Sequence, residues 1–382
     1  MATTSDTRQV HWADWARIAL FALFLVLPAL RASLDGWTPS HPEARREPAP
    51  WPGTWSPPAF EDWFDDRLGF RGSLVRAHAF VKVFGLRTSP DAQVRLGRDG
   101  WLFFDGGSKL DQADRVVHQA RGTRRLSEVE RAVLLHGFVE RRDMLAKLDV
   151  PYLLVFAPNK PTIYGEKLRP PAAPAAETPL DQVLRDLSGA GVRALDLRPA
   201  LRAAKSQGLV YYRTNSHWNA LGAEVAAREI LRALERPLPA APRAVAWERE
   251  PGSNLAAMLA LAPSFREEVP VLEHAAPRRA VRRPDAEVLG SDYFRRRPKL
   301  REEFETRGLV FTVYEVADPS LPTAVVLVDS FGAWLMEPLS EHFRTTTWLH
   351  RQTPQGLVRR VVRDLSPDFV IEERVERSLV HE

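Results

Sequence analysis

Two short, largely apolar runs constrain the fold of this chain more than any other feature. They are Tyr152–Phe156 (YLLVF) and Thr323–Val328 (TAVVLV), and each is followed by turn-forming residues. A strand that is apolar on both faces must be covered on both, which is typical of parallel sheets flanked by helices. Helical patterns alternate with such strands, at residues 126–148, 182–187, 219–234 and 331–343. The sequence therefore predicts an α/β fold with a mostly parallel central sheet.

The N-terminus carries a separate apolar segment. Residues 18–30 (IALFALFLVLPAL) contain no charge and lie between Arg17 and Arg31. A full membrane span needs roughly 20 apolar residues, whereas the core of a signal peptide is shorter. Because no small-residue cleavage pattern follows directly, we interpret residues 1–34 as a signal anchor. A cleaved signal peptide and a buried helix are the alternatives, and the first of these would also export the rest of the chain.

Composition divides the remainder of the chain and excludes several classes of site. Residues 35–58 are rich in proline and tryptophan and predict an extended tether before a folded domain at 59–382. Prolines and arginines interrupt the strand–helix alternation at about 236–300, which predicts an irregular insertion.

The chain has no cysteine, which excludes disulfides and thiolate sites. A net charge of +4 does not indicate nucleic-acid binding, and no metal or nucleotide motif is present, so we predict neither a metal nor a cofactor.

Ser330 is the strongest candidate nucleophile. It lies in Val-Val-Leu-Val-Asp-Ser-Phe-Gly, residues 325–332, between a predicted buried strand and a predicted helix. Side chains at the carboxyl end of a parallel strand line the active sites of α/β proteins. The free amides of a helix N-terminus could also stabilise an oxyanion there. The alternative is that Ser330 only caps the helix.

His217 is the matching candidate for a general base. It precedes a helix for which Asn219 is a plausible N-cap, and the positive end of a helix favours a neutral imidazole. Asn215, two residues earlier, could accept a hydrogen bond from the ring and orient it. A serine and a histidine brought together in this way indicate acyl transfer. The alternative is a structural histidine bonded to a backbone carbonyl.

At these residues the chain resembles the AlgJ/AlgX-like alginate O-acetyltransferases, a family of SGNH-hydrolase-like proteins that acetylate exopolysaccharides. The resemblance runs in order through most of the chain after the tether, and its specificity comes from the order and spacing of the segments. They are residues 60–71 (FEDWFDDRLGFR), 97–104 (GRDGWLFF), 156–164 (FAPNKPTIY), 214–223 (TNSHWNALGA), 328–343 and 367–373 (PDFVIEE).

The resemblance implies a three-layer SGNH-like fold for residues 59–382 and an O-acetyltransferase, or acetylesterase, acting on an exported bacterial polysaccharide. It makes Ser330 the nucleophile and His217 the base. The family's triad aspartate falls at Asn215, so this chain departs from the pattern there. That departure favours an alternative, a catalytically weak glycan-binding or scaffold component of a membrane acetylation complex.

The resemblance also implies a periplasmic protein at the inner membrane, with a membrane-bound O-acyltransferase partner that supplies acetyl groups. Asn159 and Lys160 follow a buried strand and are predicted substrate-binding residues, as an oxyanion donor and a contact to an anionic sugar. The alternative is that both are loop residues that make turn hydrogen bonds. Trp218 and Tyr164 are further candidates for substrate contact, with core packing as the alternative. Two arginine clusters between residues 278 and 297 could line a groove for an acidic polysaccharide or form a solvated face.

Overall fold

A computed structural model describes residues 12–34, 49–106, 115–309 and 311–380. The chain forms two compact units, residues 1–90 and 91–382. Residues 35–48 of the predicted tether lie outside the described residues, and the predicted domain boundaries stay predictions. The helices of the first unit are α1 (Trp12–Leu34), α2 (Pro57–Arg67) and α3 (Arg71–Phe80), the last continued by a π-helical turn at Val81–Gly85.

Helix α1 contains the apolar segment found in the sequence. Asp14–Leu34 is long and apolar enough to cross a membrane, with a mean hydropathy of 1.8, although a signal sequence near an N-terminus passes the same test. Only 7% of its apolar window is buried. That exposure disfavours the buried-helix alternative, because a core helix hides its apolar face.

The second unit is built on a seven-stranded sheet with two separate ribbons. The strands are β1 (Val94–Leu96), β2 (Leu102–Phe104), β3 (Tyr152–Ala157), β4 (Ala194–Asp196), β5 (Arg243–Pro251), β6 (Arg266–Glu273), β7 (Val281–Arg282), β8 (Phe311–Glu315), β9 (Thr323–Val328), β10 (Thr345–His350) and β11 (Phe369–Val375). The spatial order in the sheet is β4-β3-β11-β9-β10-β8-β7, and the first five of these strands are parallel. Strands β8 and β7 add an antiparallel edge. The two remaining pairs, β1-β2 and β5-β6, form the antiparallel ribbons.

Alternate residues of the central strands face two different hydrophobic cores. Val326 and Val328 pack with residues of the helices at 220–233 and 332–340. Val325 and Leu327 pack with residues of the helices at 128–146, 179–189 and 355–365. Helices therefore cover both faces, and the predicted three-layer α/β fold with a mostly parallel central sheet is confirmed. The helices of this unit are α4 (Val116–Ala120), α5 (Glu128–Ala146), α6 (Lys160–Ile163), α7 (Pro179–Gly189), α8 (Arg198–Ala204), α9 (Ala220–Ala233), α10 (Asn254–Met258), α11 (Asp285–Leu289), α12 (Asp292–Arg295), α13 (Pro298–Thr306), α14 (Gly332–Ser340) and α15 (Gln355–Leu365).

The segment at about 236–300 is more regular than the sequence indicates. It contains the β5–β6 ribbon, strand β7 and helices α10 to α12. Most β5 side chains are exposed, so the apolar periodicity that identifies a buried strand is absent from it. The prediction of an irregular insertion is therefore corrected, and this ribbon contributes directly to the site described below.

Candidate functional site

Ser330 lies on the turn between β9 and α14, and its side chain is exposed. The carboxylate of Asp329 holds this turn, accepting the backbone N–H of Phe331 at 2.9 Å and that of Val375 at 2.8 Å. A Cβ at Gly332 would lie 2.4 Å from the Cβ of Val328, so the turn requires glycine there. These contacts fix Ser330 at the carboxyl edge of the sheet, as the sequence predicts.

His217 lies in the loop that precedes α9. Tyr211 and Trp218 form an antiparallel bridge across the loop. Asn219 caps α9, accepting the backbone N–H of Gly222 at 3.1 Å, so its predicted role as N-cap is confirmed. The loop is joined to the serine turn by the indole N–H of Trp218, which donates to the Phe331 carbonyl at 3.1 Å.

The two loops bring Ser330, His217 and Asn215 into one hydrogen-bonded chain. The Oγ of Ser330 lies 2.9 Å from Nε2 of His217, and Nδ1 of the same ring lies 2.8 Å from Oδ1 of Asn215. The backbone N–H of His217 also lies 3.1 Å from this Oδ1, and an N–H can only donate. The amide oxygen must therefore face the ring, which places the imidazole hydrogen on Nδ1. Nε2 is then free to accept the hydroxyl proton of Ser330.

The surroundings of His217 keep its ring neutral. The side chain is 9% exposed, and its ring stacks on Trp334 at a centroid distance of 4.6 Å. Burial, followed by the positive charges of Arg377 and Lys160, lowers the pKa of His217 to about 3. The sequence predicts a neutral ring, and this is correct. Burial and two cations, rather than the positive end of α9, account for the lowered pKa.

Lys160 stabilises the loop that carries His217. Its ammonium group is buried and donates to the carbonyl oxygens of Tyr212 at 3.1 Å, Arg213 at 3.0 Å and Asn215 at 2.6 Å. Burial lowers the pKa of Lys160 to about 7, although Glu267 nearby raises it. All three donors are used on the loop, so the predicted contact to an anionic sugar has no free donor in this arrangement.

Asn159 is fully buried at the carboxyl end of β3. Its backbone N–H donates to the carboxylate of Glu376 at 2.9 Å. Within the described part of the chain, neither the nitrogen nor the oxygen of its side-chain amide has a hydrogen-bond partner. An unpaired buried amide is costly, which makes Asn159 a candidate for a polar role that a substrate completes.

Two other predicted substrate contacts are core residues. Trp218 is fully buried, and Tyr164 is 3% exposed with its hydroxyl oxygen accepting the backbone N–H of Val210 at 3.0 Å. Burial raises the pKa of Tyr164 to about 12. Neither side chain is placed to touch a sugar, so packing explains both. Trp334, which is half-buried against His217, is the aromatic residue at the surface of the site.

The β5–β6 ribbon and its connection supply contacts that sequence reasoning missed. Ser253 accepts the side-chain N–H of Asn215 at 2.8 Å, and Asn254 accepts the backbone N–H of Ser216 at 3.1 Å. Glu267 is 1% exposed and accepts the backbone N–H of Thr214 at 2.8 Å. In β6 it is buried between exposed Arg266 and half-buried Glu268, and a charged residue at that position gives no sequence pattern that marks it as buried.

The sequence family described as "SGNH hydrolase-like domain, acetyltransferase AlgX" matches residues 94–290, which is more than half of the chain. The chain belongs to this AlgX-like family. The matched range includes Asn159, Asn215 and His217 but ends before Ser330. The pairing of Ser330 with His217 therefore rests on the geometry.

Two curated relatives and one solved structure are similar to this chain. The probable alginate O-acetylase AlgJ of Pseudomonas syringae pv. tomato is 31% identical over 191 residues, 49% of this chain and 44% of that protein. Its namesake from Azotobacter vinelandii is 26% identical over 245 residues, 62% of this chain and 59% of that protein. The matches thus span about half the length of these curated relatives. The O-acetyltransferase domain of Pseudomonas putida AlgJ aligns with a TM-score of 0.44 and 20% identity, covering 76% of this chain and 92% of that domain.

The arginine clusters of this AlgX-like chain are largely paired with acidic side chains. Arg278 lies 2.8 Å from Glu224, and Arg297 lies 2.8 Å from Asp364. The other arginines of the clusters that form ion pairs are Arg279, Arg282, Arg283 and Arg295. Paired charges favour the solvated-face alternative over a groove for an acidic polysaccharide.

Proposed function

We propose that this chain is a serine-type O-acetyltransferase, or acetylesterase, that acts on an exported polysaccharide. The observation that carries the proposal is the chain of hydrogen bonds at 2.9 Å and 2.8 Å through Ser330, His217 and Asn215. Membership of the AlgX-like family supports acetyl transfer as the reaction. The names of the AlgJ relatives, probable alginate O-acetylases, support a polysaccharide as acceptor.

In this mechanism Ser330 attacks the carbonyl carbon of an acetyl ester while Nε2 of His217 takes the hydroxyl proton. The Nδ1–H tautomer held by Asn215 is the one that this step requires. The leaving alcohol takes the proton back, and an acetyl–Ser330 ester remains. A sugar hydroxyl, or water, then attacks that ester and returns the serine to its starting state.

The backbone N–H of Ser330 is the first candidate oxyanion donor. The amides of Phe331 and Gly332 are bonded to Asp329, whereas that of Ser330 has no acceptor among the residues that the structure describes. We propose the unpaired amide of Asn159 as the second donor. Because Asn159 is fully covered, its side chain must turn towards the substrate when the oxyanion forms. Loss of one such donor lowers turnover roughly 10²- to 10³-fold in other acyl-transfer enzymes.

The test is hydrolysis of 4-nitrophenyl acetate by the full-length chain in detergent. Ser330→Ala and His217→Ala should each remove nearly all activity, and the double variant should lose no more than either, because the two residues act as a unit. Ser206→Ala, an exposed serine of the helical turn Lys205–Gln207, is the matched control and should keep full activity. Undiminished hydrolysis by Ser330→Ala, with circular dichroism unchanged, would refute the assignment.

One observation favours a second function, a glycan-binding or scaffold component of a membrane acetylation complex. Asn215 cannot supply the negative charge that an aspartate would give to a protonated His217, and the charges that act on His217 are both positive. In either case we propose a periplasmic location, with α1 at the inner membrane and a membrane-bound O-acyltransferase as acetyl supplier. The scaffold function predicts glycan binding that Ser330→Ala leaves intact, without esterase activity in the unaltered chain.

A further inference from the structure

Arg377 lies near the candidate catalytic pair and forms no ion pair with any residue that the structure describes. It lies in the single helical turn Glu376–Leu379 that follows β11, and it is half-buried. Its guanidinium carbon is 5.3 Å from the ring centroids of both Phe104 and Phe331. Across the described ranges, its guanidinium makes no hydrogen bond or ion pair. A covered arginine is normally paired, so this one is available to a ligand.

Phe331 connects Arg377 to the reacting groups. It follows Ser330 directly in the chain, and its ring centroid is 4.7 Å from that of His217. The guanidinium thus packs on the same aromatic side chain as the imidazole. Consistent with this proximity, the charge of Arg377 contributes more than that of Lys160 to the lowered pKa of His217.

Acidic groups lie near Arg377, but none of those that the structure describes forms an ion pair with it. Burial lowers the pKa of Arg377, and the charges of Asp329 and Glu373 raise it. The carboxylate of Asp329 accepts two backbone N–H groups, and burial raises the pKa of Glu373 well above its ordinary value. Burial also raises the pKa of Tyr211, whose hydroxyl donates to the Pro158 carbonyl. The remaining neighbour, Arg351, is itself a cation that opposes the charge of Arg377.

The two charges that act on His217 are both positive. Asn215 takes the place at which a carboxylate would stabilise the protonated imidazole, while Lys160 and Arg377 both disfavour that proton. Lys160 uses its three donors on backbone carbonyls, whereas the five donors of Arg377 remain free. Of the two described cations that act on His217, Arg377 is thus the one with donors available to an anion, and the charge of that anion would offset both cations.

We propose that Arg377 binds a carboxylate carried by the acceptor sugar, and that this carboxylate gives His217 the negative charge that Asn215 lacks. The proposal rests on the acetyltransferase function proposed above. A guanidinium binds a carboxylate through two parallel N–H donors, which also orients the sugar. In the transfer step the sugar hydroxyl gives its proton to Nε2 as its oxygen bonds to the acetyl carbon. The bond from that carbon to Oγ of Ser330 breaks, and His217 returns the proton to Oγ.

The first experiment measures acetyl transfer from 4-nitrophenyl acetate by the full-length chain in detergent. The two acceptors are methyl glucuronide and methyl glucoside, which differ only in a carboxylate against a hydroxymethyl group. We expect the chain to prefer the glucuronide and Arg377→Met to lower kcat/KM for it about tenfold or more, as for loss of a charged hydrogen bond. Arg377→Lys should restore part of the preference, and Arg301→Met, an exposed arginine of α13, should leave it unchanged. An equal loss for both acceptors would overturn the proposal.

The second experiment needs no acyl transfer, so it can fail or succeed independently of the proposed function. The ring of His217 is followed by NMR during pH titrations, with His217→Gln to assign its signal. Methyl glucuronide should raise the titration midpoint in the unaltered chain, methyl glucoside should not, and Arg377→Met should abolish the shift. Absence of a glucuronide effect would contradict the proposal. An equal shift with sodium acetate would also contradict it, because Arg377 would then bind free carboxylates rather than the acceptor.

Discussion

Replacing Asn215 with aspartate should make this chain a faster esterase. In serine proteases the reverse change, aspartate to asparagine, lowers turnover roughly 10⁴-fold because the imidazole adopts the wrong tautomer. Here the backbone N–H of His217 turns the amide oxygen of Asn215 towards the ring, so the tautomer is already correct. What the substitution adds is therefore the charge alone.

The magnitude follows from the geometry. Charges about 4 Å apart at an effective dielectric constant of about 20 attract by about 4 kcal/mol. Asn215 is 7% exposed, so desolvation of the new carboxylate cancels part of this gain. Ser253 lies 2.8 Å from the side-chain nitrogen and can donate its hydroxyl proton to the oxygen that replaces it. We therefore expect at least a tenfold faster turnover, about 1.4 kcal/mol of transition-state stabilisation.

The assay is the pH dependence of 4-nitrophenyl acetate hydrolysis. Neutral imidazole is the base, so the rate rises with pH through the pKa of His217 and is level above it. With a pKa of about 3, the unaltered chain should show a level rate between pH 5 and 8. Asn215→Asp raises this pKa, so the rising limb should move upward.

Asn254→Asp is the matched control. Asn254 contacts Ser216, one residue from the ring, and would carry the same added charge without touching Nδ1. A smaller effect on rate and profile is expected. If Asn215→Asp alters neither, Asn215 does not contact His217 and the placement of the catalytic groups is wrong. If Asn254→Asp acts equally, the effect is long-range charge rather than the hydrogen bond.

Three further predictions concern the support of the loop and the location of the chain. Lys160→Met removes three hydrogen bonds to the loop and one cation, so turnover should fall at least tenfold. Because that cation lowers the pKa of His217, the rising limb of the pH–rate profile should also move to higher pH. A lower rate with an unmoved limb would mean that the charge of Lys160 does not act on His217. Glu267→Gln leaves one side-chain oxygen to accept the two backbone N–H groups of Arg213 and Thr214. Calorimetry should therefore show that the free energy of unfolding falls by about 1–3 kcal/mol. Glu268→Gln, at the half-exposed neighbouring position, should lower it less. Fractionation should recover the full-length chain with the inner membrane, with the residues after α1 open to protease in spheroplasts; recovery as a soluble cytosolic protein would contradict the proposed anchor.

Local patterns in the sequence identify the elements that present the candidate groups. The bounds predicted for Thr323–Val328 are those of β9, because a strand covered on both faces leaves an uninterrupted apolar run. Asn219 marks the start of α9, because an N-cap is a local hydrogen bond. Ser330, His217 and Asn215 follow from such local positions, at the end of a strand and before a helix. The exposed ribbon β5–β6 has no such signature, and its contribution to the loop was missed.

The tertiary structure decides which of these groups meet, because the order of strands in the sheet differs from their order in the chain. Strand β11, the last in sequence, inserts between β3 and β9, so its end brings Arg377 beside the serine turn and Glu376 beside Asn159. Ser330 and His217 are 113 residues apart in sequence, yet their side chains lie 2.9 Å apart. The side chain of Lys160 points towards the loop rather than solvent because its hydrogen-bond acceptors are carbonyl oxygens distant in sequence. Long-range strand pairing of this kind depends on packing across the whole sheet, whereas the local patterns report only which face of an element is buried.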